Sequence, residues 1–376
     1  MKKTRFILWT FAALLLLPAC KRIDLDKKVV IKVDVPVEEA ANCYIIAPGG
    51  FLTFHAVKGN TGDVITFAQE AAVMWETDNT AKAVKKGSII KNVSYKDGVI
   101  SIEAGSKEGN ALVIAEDGDG MVLWSWHIWV TWYNPDDHCI NVGSYKMLDR
   151  NLGALTSTAT DPLSFGLLYF SSRKDPFPGM AAFHEAYTSD AGHHGTVRAA
   201  VSGYLDVEPV NAPDLGEDLE AYMRKNPHKQ VNYYGASRNS GDLWKDTGKS
   251  ISDPCPHGYR VASNSLWSNV VNRYLDAKYS SKCADWSATS DWSSLALPQC
   301  GYGPAARNYL ICVQNPDTDN KGMRYSAYMA PPSSSSYPYE FVWLSYNDGT
   351  GKYNSSVHFS SNMSYLASGA VRCMKM

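Results

Sequence analysis

Short segments in which apolar and polar residues alternate follow one another at regular spacing between residues 38 and 135. Alternation with a period of two indicates strands that are buried on one face. We predict strands at Cys43–Ile46, Phe51–Val57, Val73–Trp75, Ser88–Val93, Val99–Glu103, Ala111–Ala115 and Met121–Val130. Turn sequences at residues 96–98 and 116–120 join two pairs of them as hairpins. Helical periodicity is absent, so this pattern predicts an all-β sandwich over residues 38–135.

The last of these segments carries tryptophans on both faces of one strand. Alternation places residues 124, 126, 128 and 130 on one face and residues 125, 127, 129 and 131 on the other. One interpretation is an aromatic platform for sugars, with Trp129 as a candidate ligand-binding residue. The other is a strand buried on both sides between two parts of the protein, in which Trp129 fills core volume and His127 is packed and hydrogen-bonded.

The pattern changes after residue 136, where Gly, Ser, Asn, Tyr and Trp dominate and regular periodicity is sparse. One helix is clear, because apolar residues at helical spacing follow Ser263 and Asn264, either of which is a good N-cap. A weaker helix is predicted at Glu217–Lys225, ending before Asn226-Pro227. The remainder of this half is expected to be loops and short strands.

The N-terminus has the pattern of an export signal. Three basic residues precede an apolar run, Phe6 to Leu17, that is too short to span a bilayer as a helix. The run ends in Leu17-Pro18-Ala19-Cys20, which resembles the bacterial lipobox. We therefore expect a signal peptide at residues 1–19, acylation of Cys20, and a lipidated tether at residues 20–37 that runs into a first strand. The resemblance implies an outer-membrane lipoprotein, attached to the membrane by its lipid anchor.

Charge and cysteine content limit the functions and the disulfides that the chain can have. The formal net charge is −2 and becomes more negative when the basic leader is removed, so the chain lacks the basic surface of a nucleic-acid-binding protein. Eight cysteines suggest four disulfides, but lipidation of Cys20 leaves an odd number. Cys300 and Cys312 bracket a plausible hairpin and are candidates to pair across it. Cys43, Cys139 and Cys283 have no evident partner and are expected to pack as buried thiols.

Several phrases of the chain, taken in order, resemble one protein family. They are LDRNLGA at residues 148–154, RKDPF at 173–177, DPCPHGYRV at 253–261, VWLS at 342–345 and SGAVRC at 368–373, preceded by NCYII at 42–46, KGN at 58–60 and the tryptophan strand. This set is similar to the Fibrobacter succinogenes major paralogous domain, found in surface lipoproteins and fimbrillin-like proteins of the Bacteroidota. The chain departs from the family at Tyr259, at Leu344 and over residues 166–172.

The resemblance implies a loop-rich α+β domain at residues 136–376, related to C-type lectins and formylglycine-generating enzymes. Cys255 and Cys373 lie in two of the family phrases, and the resemblance implies that they form a disulfide. Residues 314–319 and 346–348 resemble the two loop motifs of sugar-binding C-type lectins. That likeness makes a calcium site possible, although such sequences are also ordinary turns. Its candidate ligands are Asp317, Asp319, Asn347 and Asp348. No other cofactor is predicted.

The functional expectation is a non-catalytic surface protein. The chain has no protease, hydrolase or nucleotide-binding motif and no closely spaced cysteine pair of the formylglycine-generating type. Aromatic residues in the C-terminal loops suit recognition of a glycan or a surface protein, with Tyr302, Tyr325 and Trp343 as candidate binding residues, or else they fill the core. We expect a role in adhesion or association with fimbriae. The alternatives are a structural fimbrial or envelope subunit assembled by strand exchange through its N-terminal segment, and an enzyme of the formylglycine-generating fold.

Overall fold

A computed structural model describes the protein at residues 31–80, 82–158, 161–170, 172–179, 200–211, 218–232, 241–274, 323–332, 340–347, 357–360 and 368–376. Over these residues the fold is mainly β, with two α-helices and three short 3-10 helices. The prediction of a β-rich fold is confirmed at this level. The expected lipidation site, Cys20, lies outside the described residues.

The first eight strands follow the predicted hydrophobic pattern closely. They are β1 (Lys32–Val35), β2 (Cys43–Ile46), β3 (Phe51–His55), β4 (Glu70–Thr77), β5 (Ile90–Lys96), β6 (Val99–Ala104), β7 (Gly109–Glu116) and β8 (Val122–Val130). Strand β1 lies within residues 20–37, where the sequence analysis expects a tether that runs into a first strand. Between β5 and β6, Asp97 and Gly98 have φ of 51° and 80°. Two successive positive φ angles match the right-handed twist of the flanking strands, which explains the tight hairpin at this sequence.

Twelve further strands, most of them short, follow in the second half. They are β9 (Cys139–Val142), β10 (Tyr145–Leu148), β11 (Leu168–Phe170), β12 (Ser202–Gly203), β13 (Asp206–Asn211), β14 (Lys229–Asn232), β15 (Tyr259–Val261), β16 (Met323–Ala330), β17 (Glu340–Asn347), β18 (Val357–Ser360), β19 (Ser368–Ala370) and β20 (Cys373–Lys375). The strands form five sheets, in the orders β1-β3-β6-β5, β12-β4-β7-β8-β2, β15-β20-β10-β9, β11-β19-β16-β17-β18 and β13-β14.

Both predicted helices are present, and Ser263, one of the two predicted N-caps, caps the longer one. Helix α1 (Leu219–Lys225) starts after Asp218, whose carboxylate accepts the Ala221 N–H at 2.9 Å. Helix α2 (Asn264–Tyr274) starts after Ser263, whose Oγ accepts the Leu266 N–H at 3.1 Å. A side-chain oxygen at the N-cap satisfies a backbone N–H that has no partner inside the helix, which is why both helices begin there.

The sheet that contains β8 lies between two apolar cores. Trp124, Trp126, Ile128 and Val130 join residues of β3 and β6 in one core, which both N-terminal sheets share. Trp129, on the opposite face, joins residues 75 and 112 and the apolar residues of the second half in the other core. The second core therefore contains side chains from both sides of residue 135, and β12 from the second half extends the same sheet beside β4.

Candidate functional site

Two of the phrases that carry the family resemblance, LDRNLGA and SGAVRC, meet at a buried polar junction. Arg372 of SGAVRC is fully buried. Its Nε donates to Oδ1 of Asn151 at 2.9 Å, and its Nη1 donates to the Leu148 carbonyl at 2.8 Å. Asn151 in turn donates from Nδ2 to the Phe165 carbonyl at 2.9 Å. A guanidinium offers five donors, and here buried oxygens of LDRNLGA accept from it. The two phrases therefore form one structural unit.

The predicted disulfide is present beside this unit. Cys255 and Cys373 are bonded, with their Cα atoms 6.0 Å apart, and the bond joins the segment before β15 to the start of β20. The Asp253 carboxylate accepts the N–H groups of Cys255 at 2.9 Å and Val261 at 3.0 Å. Burial raises the pKa of Asp253, and the Lys249 ammonium 3.8 Å away acts in the opposite direction. The DPCPHGYRV phrase is thus fixed by one covalent bond and one buried carboxylate.

Two asparagines of the first half donate hydrogen bonds to the start of this phrase and to the residues just before it. Asn42 donates from Nδ2 to the carbonyls of Ile251 at 2.8 Å and Asp253 at 2.9 Å. Asn60 donates to the carbonyls of Ser250 at 2.8 Å and Asp253 at 2.9 Å. Only glycine fits at residue 59, since a Cβ there would lie 2.2 Å from Oδ1 of Asn42. The segments NCYII and KGN therefore bind the same stretch of the second half, residues 250–253, through side-chain hydrogen bonds.

A second contact between the halves is a buried ion pair. Lys174 and Asp175 of RKDPF lie 2.6 Å apart, both almost fully buried. Ser125 of β8 donates to Asp175 at 2.6 Å, and the Lys174 ammonium donates to the Ser125 carbonyl at 3.0 Å and to its hydroxyl. The ammonium also lies 4.5 Å from the Trp124 ring centroid. Burial lowers the pKa of Lys174, while the Asp175 charge acts to raise it.

A serine beside a lysine is also the arrangement of some hydrolases, in which the amine must be neutral to accept the serine proton. Here the ammonium is held by the Asp175 carboxylate and by two oxygens of Ser125. All three side chains are at least 95% buried. The geometry therefore favours a structural role, in which these hydrogen bonds attach the RKDPF segment to β8.

The third cluster contains a thiol and an imidazole. Cys43 and His127 are paired across β2 and β8. His127 Nε2 lies 2.8 Å from Oδ1 of Asn110, and its Nδ1 lies 3.3 Å from the Tyr169 hydroxyl. Since Nδ2 of Asn110 already donates to Gly153, its Oδ1 accepts the Nε2–H, and Nδ1 is left to accept from Tyr169.

This cluster is electrically neutral. Burial lowers the pKa of His127 to about 3 and raises that of the Cys43 thiol. The reactive form of cysteine is the thiolate, and a neutral imidazole adjoining a protonated thiol provides no ion pair to sustain one. His127 is therefore the packed, hydrogen-bonded histidine that the sequence predicts. His127 thus links β7, β8 and β11 in the second core.

The structure corrects the interpretation of Trp129 as a binding residue. Its exposed fraction is 0%, and its ring packs against Tyr133 with centroids 5.2 Å apart. A ring enclosed on both faces has no surface on which a sugar can stack. The alternative interpretation, a strand buried on both sides, is the correct one. The exposed ring of this sequence is instead Trp132, two residues after β8, at 66% exposure.

The other residues that the sequence analysis nominated either lie in strands or fall outside the residues that the structure describes. Tyr325 and Trp343 lie in the paired strands β16 and β17, and Asn347 ends β17 opposite Met323. The expectation that these aromatic residues lie in loops is therefore wrong for Tyr325 and Trp343. Tyr328 of β16 is fully buried, with its ring centroid 5.0 Å from that of Trp267. The following candidates lie outside the described residues: Cys20, Cys283, Cys300, Tyr302, Cys312, Asp317, Asp319 and Asp348.

Sequence reasoning missed the polar residues of the junction. It named Asn42, Asn151 and Arg372 only within family phrases, and the sequence contains no sign of which oxygen each would meet. Trp132 had a readable signal, because it follows the end of the alternating segment and precedes the turn at Asn134-Pro135. Within the described ranges, no group of three or more His, Cys, Asp or Glu side chains is arranged to hold a metal ion.

Comparison with other proteins adds no assignment. No family model, no curated protein and no solved structure matches the chain. In the part of the chain that the structure describes, no helix has both the length and the apolar character needed to cross a bilayer.

Proposed function

We propose that this chain is a non-catalytic, lipid-anchored protein of the outer membrane that binds a glycan or another surface protein in adhesion or in association with fimbriae. The observation that carries the proposal is the leader that ends in Leu17-Pro18-Ala19-Cys20. Several acyl chains on Cys20 provide stable attachment, since each buried CH₂ contributes about 0.8 kcal/mol. The proposal includes a calcium ion, held by residues 317, 319, 347 and 348, that would assist binding of the ligand.

The fold that accompanies this proposal is a β-sandwich followed by a C-type-lectin-like domain of the family named above. Two observations support it. The first two sheets share one core, in which Phe54 and Trp126 pack edge to face with centroids 5.2 Å apart. In the second half, a long helix follows β15, and the disulfide ties β15's segment to the last strand.

Three measurements test the proposal. Cells that express the full chain should incorporate a palmitate analogue into it, and Cys20→Ser should abolish the label while Cys139→Ser retains it. Protease treatment of intact cells should digest the protein if it faces outward. An array of glycans probed with residues 21–376 should show binding, and its loss in EDTA would support calcium. Undiminished labelling of Cys20→Ser would contradict the anchor.

One observation favours the structural alternative, a subunit assembled by strand exchange. Strand β1 lies at the edge of its sheet, pairs with β3 in parallel, and has only exposed and half-buried residues. A short edge strand of this kind is easily replaced by a strand from another chain. If exchange occurs, removal of residues 21–34 should abolish polymers seen by electron microscopy. A structural subunit should also bind no sugar on the array.

A further inference from the structure

Trp132 is unusual among the tryptophans whose burial is described, because most of its ring faces solvent. Trp75, Trp124, Trp126 and Trp129 are at most 1% exposed, whereas Trp132 is 66% exposed. Water-exposed apolar surface is unfavourable, so a ligand that covers this ring gains free energy by removing it from water. The flat face of an indole matches the C–H face of a pyranose ring.

The backbone on both sides of Trp132 is held in place. Thr131 is 2% exposed, and its N–H donates to the Ile46 carbonyl at 2.8 Å. Tyr133 is 5% exposed, its N–H donates to Oγ1 of Thr131 at 3.2 Å, and its ring carries the Arg150 guanidinium at 3.8 Å. Trp132 thus projects from a fixed position between two buried residues. Preorganisation of this kind reduces the entropy lost when a ligand binds.

A carboxylate is hydrogen-bonded to the backbone amide of Trp132. Oε1 of Glu108 accepts hydrogen bonds from the backbone N–H of Trp132 at 3.1 Å and from the Thr131 hydroxyl at 2.7 Å. The side chain of Glu108 is held by these two bonds, and its second oxygen, Oε2, accepts no hydrogen bond from the described residues. A carboxylate oxygen accepts hydrogen bonds from hydroxyl groups strongly, because the acceptor is charged.

Charge indicates which sugars fit. Lys107, the neighbour of Glu108, lies 3.9 Å from the Asp78 carboxylate, so its positive charge is already opposed. The local balance of Asp78, Lys107 and Glu108 is negative. Such a surface repels sugars that carry carboxylate or sulfate groups and accepts neutral hydroxyl groups.

The geometry points to a carbohydrate subsite formed by Trp132 and Glu108, which takes a neutral pyranose stacked on the indole with hydroxyls donating to Oε2. The inference rests on the proposed function, of which it defines the ligand class. It replaces Trp129, which the sequence had nominated, with the ring of the same aromatic run that ligands can reach.

The test compares variants of residues 21–376, with the disulfide formed, on an array of neutral, sialylated and sulfated glycans. The wild-type protein should bind neutral glycans. Trp132→Ala should weaken that binding at least tenfold, and Glu108→Gln, which keeps an oxygen for the backbone contact, should weaken it severalfold. Phe67→Ala removes another exposed ring, at 81% exposure, far along the chain from the subsite, and should leave binding unchanged. A melting curve for each variant verifies folding, and Trp132→Phe provides a smaller ring if Trp132→Ala is unstable.

The outcomes separate the subsite from the function. Glycan binding that persists in Trp132→Ala would overturn the subsite and leave the binding function standing. Preference for sialylated or sulfated glycans would overturn the neutral ligand class. Binding of no glycan by the wild-type protein would contradict both the subsite and the glycan form of the proposed function.

Discussion

Arg372 and Asn151 lie 221 residues apart in sequence, and Nε of the first donates to Oδ1 of the second at 2.9 Å in the buried interior. Neither side chain has access to water, with both exposed fractions at 0%. The charge of Arg372 is therefore solvated by protein oxygens instead of water. The stability of the junction depends on each of these oxygens being present.

We expect Asn151→Ala to lower the free energy of unfolding by about 3 kcal/mol. The substitution removes one acceptor of the buried Arg372 guanidinium and one donor to the Phe165 carbonyl. Urea denaturation monitored by fluorescence would measure the loss. Asn141→Ala removes the same side chain from an exposed position in β9 and should change stability by less than about 0.5 kcal/mol. Equal effects of the two variants would contradict the assignment.

The Cys255–Cys373 disulfide closes a loop with a sequence separation of 118 residues. The chain-entropy account predicts that a bond across so long a loop contributes about 4–5 kcal/mol. The double variant Cys255→Ser/Cys373→Ser should lose stability of that order, and peptide mapping of the wild-type protein should recover the crosslinked pair. Cys139→Ser, which alters an unpaired cysteine, is the control. Recovery of Cys255 or Cys373 in a different pair would contradict the pairing.

The Lys174–Asp175 pair should behave as a buried ion pair, in which each charge offsets the desolvation cost of the other. Asp175→Leu leaves the Lys174 ammonium buried without its counter-charge, and we expect a loss of about 3–5 kcal/mol. Lys174→Met in the same chain removes one of the two buried cations that face Asp175, the other being Arg173 at 3.8 Å, so the double variant should be more stable than Asp175→Leu alone. Denaturation midpoints of the three proteins would decide. A double variant less stable than Asp175→Leu would contradict this account.

Trp129 and Trp132 provide a paired test of burial within a single segment. Trp129→Ala removes a fully enclosed ring and should cost about 3–5 kcal/mol. Trp132→Ala removes a mostly solvated ring and should change stability by less than about 0.5 kcal/mol. Acrylamide quenching should also decrease in Trp132→Ala and should not decrease in Trp129→Ala, because only the first variant removes an exposed indole. The reverse order of stabilities would contradict the burial assignment.

Local signals explain which parts of the fold were predictable. Asp97-Gly98 takes positive φ angles, and Ser263 and Asp218 cap their own helices, so each of these features depends on a few neighbouring residues. Alternation along β8 correctly separated the two faces, because a strand turns each successive side chain over. It did not show that both faces would be covered, since the covering residues come from distant parts of the chain.

The polar junction was less predictable for the same reason. Asn42 meets Asp253 across 211 residues, and Ser125 meets Asp175 across 50. No periodicity encodes such pairs, because hydrogen-bond partners are chosen by the folded geometry. The disulfide was expected only from a resemblance, because Cys255 and Cys373 lie in two of the phrases that resemble the family.

His127 makes stability depend on pH with a sign that can be worked out. Its pKa in the folded protein is about 3, against 6.5 for an unperturbed histidine. Below pH 6.5 the unfolded chain therefore binds a proton that the folded protein excludes. The stabilisation is present above pH 6.5 and is lost as the pH falls toward 3, by roughly 1.4 kcal/mol per pH unit.

His127→Gln removes the titrating group, so its stability should fall less steeply than that of the wild-type protein between pH 6 and pH 4. Urea denaturation at several pH values would measure both slopes. Tyr169→Phe is the matched control, because it deletes the hydroxyl 3.3 Å from Nδ1 and keeps the imidazole. That variant should be less stable at every pH, and its slope should equal that of the wild-type protein. Identical slopes for His127→Gln and the wild-type protein would show that the folded interior admits the proton, which is incompatible with a neutral, enclosed histidine.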